Sequence, residues 1–252
     1  MEFWVGHASA VAIGVSLGLL GGGGSILAVP ILVYVMAVPG KEAIALSLIV
    51  VGVASLVGAV PHYLQGNVNL RTALLFSPTA MAGSYLGARL AALPLVTPQF
   101  QLLCFTAMMF VAAFLMIRKP ETPEHSGAAH PYWQIGLEGL GVGALTGFVG
   151  IGGGFMVIPA LVLLGNTPMK EAVGTSLVII ALKSATGVLG YLGTVPMDGR
   201  LALTFTGAAV LGMVLGVGLS RVVPAKSLEK AFGYFVLAVA TFLLVQNLRG
   251  AA

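Results

Sequence analysis

Ten apolar runs, most of them long enough to cross a bilayer, follow one another with little polar sequence between them. They cover roughly 3–20, 25–38, 43–64, 72–92 and 100–117, then 133–150, 154–165, 172–193, 201–222 and 228–247. A lipid-spanning helix needs about 20 mainly apolar residues. Barrel strands would alternate apolar and polar positions, whereas these runs are continuous. Only 8% of the 252 residues are charged, against about 25% in soluble domains, so a soluble surface could not be covered. A soluble enzyme, a disordered chain and a disulfide scaffold are excluded. The pattern predicts an all-α polytopic membrane protein. The one cysteine, Cys104, lies in an apolar stretch and reads as packing. Met1-Glu2-Phe3-Trp4 has no Lys or Arg, so the first run reads as a retained helix rather than a secretory signal.

The halves are copies. At an offset of 129, residues 18–87 match residues 147–216 at 23 of 70 positions without a gap. Gly21, Gly23, Gly24 and Pro30 fall on Gly150, Gly152, Gly153 and Pro159. Lys41-Glu42 falls on Lys170-Glu171, and Gly83 and Gly87 on Gly212 and Gly216. Shared hydrophobicity explains Leu on Leu but not Lys-Glu on Lys-Glu. The organisation is therefore a first repeat over 1–117, a polar linker over 118–131 and a second repeat over 132–252. His125 and His130 lie in that linker, have no further ligand nearby in sequence and read as solvated, so no metal or other cofactor is expected.

Parity predicts how the repeats are related. As one helix, residues 3–38 would reach about 54 Å, against a hydrocarbon core of about 30 Å. Two short spans or a re-entrant hairpin fit better, and either adds an even number to three further spans. The repeats are then inverted, with about five helical segments each. Apart from the mid-run Lys183, the Lys and Arg residues divide seven to four between the two sides, which puts both termini outside. Lys and Arg are scattered between apolar runs, which suggests no nucleic-acid partner.

Gly18–Gly24 and Gly147–Gly154 interrupt the apolar runs at matching places. So many glycines cost too much propensity for a helix interior. They predict helix breaks with unwound backbone, each followed by a new helix near Ser25, as N-cap, or near Gly154. Unwound backbone within the bilayer needs cover from protein or a water-filled cavity. Two helix N-termini brought together would offer N–H groups to an anion. The alternative is close packing by small residues.

Lys183 lies mid-run, where a cation costs about 2.5–3.5 kcal/mol even on the mild scale. Its repeat counterpart is Ala54, so the scaffold does not require it. Ser176 is two turns earlier on the same face. Snorkelling is the alternative, but Lys183 is far from both ends of its run. The candidate substrate contacts are Lys183, Thr175, Ser176, Ser47, Gly23, Gly24, Ser25, Gly152, Gly153 and Gly154. Glu138 and His62 are candidates for proton coupling or an ion pair, although both settings also read as interfacial.

These features resemble the sulfite exporter TauE/SafE family, also called the toluene sulfonate uptake permease family. The likeness rests on Gly147-Phe148-Val149-Gly150-Ile151-Gly152-Gly153-Gly154 with Pro159 and Ala172-Val173-Gly174-Thr175-Ser176. In the first half it rests on Gly18–Gly24 with Pro30 and Ala43-Ile44-Ala45-Leu46-Ser47, where Ala45-Leu46 departs from Gly174-Thr175. The resemblance implies transport of sulfite, an organosulfonate or a related anion across a prokaryotic cytoplasmic membrane. The implied partners are a small anion, the lipid bilayer and, as an option, a second copy. The sequence has no nucleotide-binding motif, so transport by a gradient, passive transport or an unseen partner is expected. The alternatives are an intramembrane serine hydrolase, using Ser25 or Ser176 with His62, and a non-transporting membrane subunit.

Overall fold

The computed structural model describes residues 2–91, 98–118, 132–149, 154–165, 167–191 and 197–250. The linker histidines, Gly152 and Gly153 lie outside them. Every secondary-structure element among the described residues is helical. In the first half these are α1 (Glu2–Leu20), a 3₁₀ turn (Gly21–Gly24), α2 (Ser25–Pro30) with a π turn (Ile31–Val35), α3 (Gly40–Leu64), α4 (Leu70–Ala91) and α5 (Pro98–Arg118). In the second half α6 (Tyr132–Val149) is followed by a 3₁₀ turn (Gly154–Met156) and α7 (Val157–Pro159) with a π turn (Ala160–Leu164). Then come α8 (Met169–Tyr191), α9 (Gly199–Val222) and α10 (Ala225–Gly250). The expected segments agree to within a few residues at every end.

The first apolar segment is not one rod. Gly21 has φ +57, the left-handed region that only glycine enters without strain. Beyond it the chain doubles back. A Cβ on Gly24 would stand 2.8 Å from the carbonyl oxygen of Ile13, and Gly6 lies against the sulfur of Met36. In a straight helix, residues 13 and 24 would be about 16 Å apart. The segment is a helical hairpin with its tip at Gly21–Gly24. The glycines of that tip form a 3₁₀ turn, a tighter winding than the unwound backbone expected from the sequence. Pro30 and Pro159 each precede a π turn, where Met36 N–H donates to Ile31 at 3.1 Å and Gly165 N–H to Ala160 at 3.0 Å. Proline lacks an N–H and displaces the carbonyl one turn back, so both helices widen at the same repeat position.

The halves pack by exchange. α1 lies along α9, with Gly14 and Gly18 against the backbone of Ala209–Val217, and Gly212 and Gly216 against Val11 and Val15. The counterparts do the same: α4 lies along α6, with Gly143 against Ala80, Gly83 against Leu140 and Gly87 against Ala144. Within each pair the helices run in one direction. The repeated glycines at 83, 87, 212 and 216 are thus packing residues that let backbones touch. α3 and α8 pack on each other in opposite directions, with Gly52 against Ser184 and Gly174 against His62 and Asn67.

The duplicated glutamates tie the halves together. Asn69 accepts the Thr72 N–H at 2.9 Å and so caps α4, and it donates to Glu171 at 3.0 Å. Asp198 caps α9 through the Arg200 and Leu201 N–H groups, and its own N–H donates to Glu42 at 3.1 Å. The equivalent residues meet with the halves exchanged, although the donor is the Asn69 side-chain amide in one case and the Asp198 backbone N–H in the other.

The molecule is apolar outside and hydroxyl-bearing inside. Leu203, Val222, Leu74 and Leu211 are exposed, while Ser47, Ser55, Thr175, Ser176 and Ser184 are buried. Among the described residues, Glu42–Leu64 and Gly199–Val222 are single helices long and apolar enough to cross a membrane, and the Trp4–Val33 hairpin is apolar throughout. The protein is a multi-pass membrane protein.

Candidate functional site

The tips of the two halves meet beside the middle of α8. A Cβ on Gly22 would collide with the carbonyl of Gly154, and one on Gly154 would stand 2.7 Å from Oγ of Ser25. Gly22 could not carry a side chain there and keep this approach, because it meets backbone. α8 supplies the surface they rest on. Val173, Ser176, Ile180 and Lys183 recur at helical spacing and form one stripe. Ser176 and Val173 face Gly21, and Ile180 faces both Gly22 and Gly154.

Lys183 ends this stripe. Its Nζ donates to Thr146 Oγ1 at 3.3 Å, in the last turn of α6. Thr146 sends its own proton to the Gly143 carbonyl at 3.0 Å, which leaves its oxygen free to accept. Ser84 of α4 stands 3.5 Å from Thr146 Oγ1 and donates to the same carbonyl at 3.1 Å. Three helices thus bring an ammonium and two hydroxyls together. A hydroxyl satisfies one of the three ammonium protons, which leaves donors for an anion.

Sequence reasoning found Lys183 but missed Thr146 and Ser84. The signal lay in the repeat. The counterparts of Lys183, Thr146 and Ser84 at the 129-residue offset are Ala54, Leu17 and Met213. All three are fully buried in one apolar cluster. The same three-helix junction is polar in one copy and greasy in the other.

The other candidates have separate settings. Ser25 and Gly154 meet at the crossing, whereas Gly23 is buried against Phe232 of α10 and Gly24 against Ile13 and Leu17 of α1. Ser25 is not the N-cap acceptor expected from sequence: the cap is Gly24, and the Ser25 hydroxyl donates back to Gly22 at 2.6 Å. Ser176 and Ser47 make equivalent back-bonds to Val173 at 2.8 Å and Ile44 at 2.7 Å. Thr175 takes the Asn69 N–H at 2.9 Å and holds the entry of α4 rather than the crossing. Glu138 is half-buried and engaged. It lies two turns before Thr146, about 12 Å along α6, so the ammonium is received by Thr146 and not by Glu138.

His62, which reads as interfacial in the sequence, is only 3% exposed; the Gly18 backbone approaches the ring, but neither ring nitrogen makes a well-formed hydrogen bond. The serines of a hydrolase reading donate to carbonyls instead of to this ring. Among the described residues, no group of His, Cys, Asp and Glu could hold a metal ion.

Comparison with known proteins follows the same lines. The profile of the family described as sulfite exporter TauE/SafE matches residues 7–243. A probable membrane transporter protein of Xylella fastidiosa is 32% identical over 239 residues, covering 92% of this chain and 91% of the relative. The probable membrane transporter protein YdhB of Bacillus subtilis is 27% identical, covering 92% and 96%. An archaeal relative, the probable membrane transporter protein MJ0441 of Methanocaldococcus jannaschii, is 27% identical over 72% of this chain and 71% of its own. No solved structure matches.

Proposed function

The chain belongs to the sulfite exporter TauE/SafE family and is a membrane transporter; from that premise we propose that it moves a small sulfur-containing anion, sulfite or an organosulfonate, across the cytoplasmic membrane of a prokaryote. The supporting observation is the junction of Lys183, Thr146 and Ser84 beside the crossed Gly-rich tips, at positions that are Ala54, Leu17 and Met213 in the other copy. A mid-bilayer ammonium is costly, and a scaffold that folds with alanine at the equivalent place does not need it for folding. An anion at the junction would meet the ammonium in a setting where charge-assisted hydrogen bonds are strong. The bare tips at Gly22 and Gly154 leave backbone close at hand to complete the cradle.

Inversion of the repeats is part of the same reading. An axis that carries α3 onto an antiparallel α8 lies across the helices rather than along them. This supports halves inserted in opposite senses and rocking about the crossing, with substrate held near the midplane as in inverted-repeat carriers.

The test is uptake and efflux in proteoliposomes with sulfite, sulfate, thiosulfate and organosulfonates. Movement of at least one, abolished or strongly reduced in Lys183→Ala, is the expected result. Movement of none of them, together with cleavage of a peptide, would replace this function with a hydrolase.

A further inference from the structure

A cavity of about 100 Å³ opens where α3 and α9 end and α8 and α10 begin. Its wall includes His62, Asn67, Lys170, Val173, Ser220 and Arg221. We propose that this cavity is a second anion-binding station, through which a small oxyanion passes on its way to or from the crossing. The proposal rests on the anion-transport reading for the choice of ligand, but not for the existence of the site.

His62 carries the argument. The ring is nine-tenths buried or more and lines the cavity; the Gly18 backbone approaches it, but neither nitrogen makes a well-formed hydrogen bond. A buried polar group left unpaired costs about 1–3 kcal/mol. A neutral imidazole always keeps one N–H donor, which a bound oxyanion would satisfy. The ring is held there by the end of α3. Gly66 has φ +73, and the Asn67 N–H closes on the His62 carbonyl at 2.9 Å, the pattern of a glycine C-cap.

The charge around the ring favours an anion. Two helices end and two begin at the cavity, so their dipoles largely offset. Side chains then decide the sign, and Lys170 and Arg221 supply two positive charges. No acidic residue among the described residues lines the wall. A cavity of about 100 Å³ has room for a small oxyanion such as sulfite or sulfate.

The cavity and the crossing share a wall at Val173. Val173 lines the cavity, and a Cβ on Gly21 would stand 3.2 Å from the Val173 Cα. The α8 stripe leads from there through Ser176 and Ile180 to Lys183. As at the central junction, the repeat is broken. His62, Ser220 and Arg221 correspond to Tyr191, Ala91 and Ala92, and only Lys170 keeps its counterpart, Lys41.

The experiment is direct binding of radiolabelled sulfite, sulfate and thiosulfate to purified full-length protein, in neutral detergent and in phosphatidylcholine nanodiscs. Lys183→Ala removes the central ammonium and is expected to leave one salt-sensitive site per chain. Adding Arg221→Gln or His62→Phe should weaken that remaining site roughly tenfold or more, while Arg221→Lys should retain most of it. Unchanged binding in the Lys183→Ala/Arg221→Gln variant, or no binding in Lys183→Ala, overturns the proposal. Nanodiscs containing phosphatidylglycerol separate a solute site from a lipid phosphate site. Unaltered anion binding supports the station, and loss of binding to the lipid overturns it. If wild-type protein transports none of the anions yet binds one in an Arg221-dependent way, the transport reading fails and the cavity assignment stands.

Discussion

Lys183 of α8 donates through Nζ to Oγ1 of Thr146 across 3.3 Å, joining two helices of the second repeat at the point where the tips of both repeats cross. The contact stabilises an ammonium that the duplicated scaffold does not require.

Lys183→Ala is therefore expected to express and insert normally, because it relieves a cost of about 2.5–3.5 kcal/mol. Loss of a charge-assisted contact to substrate, worth about 1.5–3 kcal/mol, corresponds to roughly tenfold to 150-fold weaker transport. Lys183→Arg should keep part of the activity. Initial rates in proteoliposomes decide this, and wild-type rates in the alanine variant would make Lys183 structural.

Thr146→Val keeps the shape of the side chain and removes the acceptor. The ammonium then loses its one hydroxyl partner, and a net loss of about 1 kcal/mol should appear as a roughly fivefold higher KM. Thr146→Ser should behave like wild type. Equal defects in both variants would locate the effect in packing instead.

Gly22→Leu places a side chain where the Gly154 carbonyl now sits. Separation of the tips should abolish transport while leaving a monodisperse protein on size exclusion. If the leucine variant transports normally, the crossing has no part in the path.

Asn69→Ala removes both the cap of α4 and the bond to Glu171. Loss of an N-cap costs about 0.5–2 kcal/mol, and the unpaired Glu171 adds to it. A lower midpoint of thermal unfolding in detergent is expected, with transport per folded molecule unchanged.

Inverted repeats place equivalent loops on opposite faces. With Cys104 replaced by serine, cysteines at exposed Gln65 and Arg200 should be labelled by a membrane-impermeant reagent from opposite sides. Labelling of both from one side would overturn the ten-segment alternation.

Much of this molecule was legible in its sequence, because hydropathy and repetition are local or periodic signals. Continuous apolar runs determined helices in lipid. The 129-residue offset determined two copies of one unit, and the glycine runs marked where helices stop. An isolated lysine in hydrocarbon announced that it needed a partner. Which partner it found depended on tertiary structure, since Thr146 is 37 residues away and on another helix. The same holds for Asn69 and Glu171, 102 residues apart, whose contact ties the two halves together. His62 reads as an interfacial residue because its neighbours in sequence are polar. The packing of α3 on α8 and α9 buries it beside a basic cavity instead. Burial and pairing across helices are set by which faces meet, and a one-dimensional pattern carries helix faces but not their neighbours.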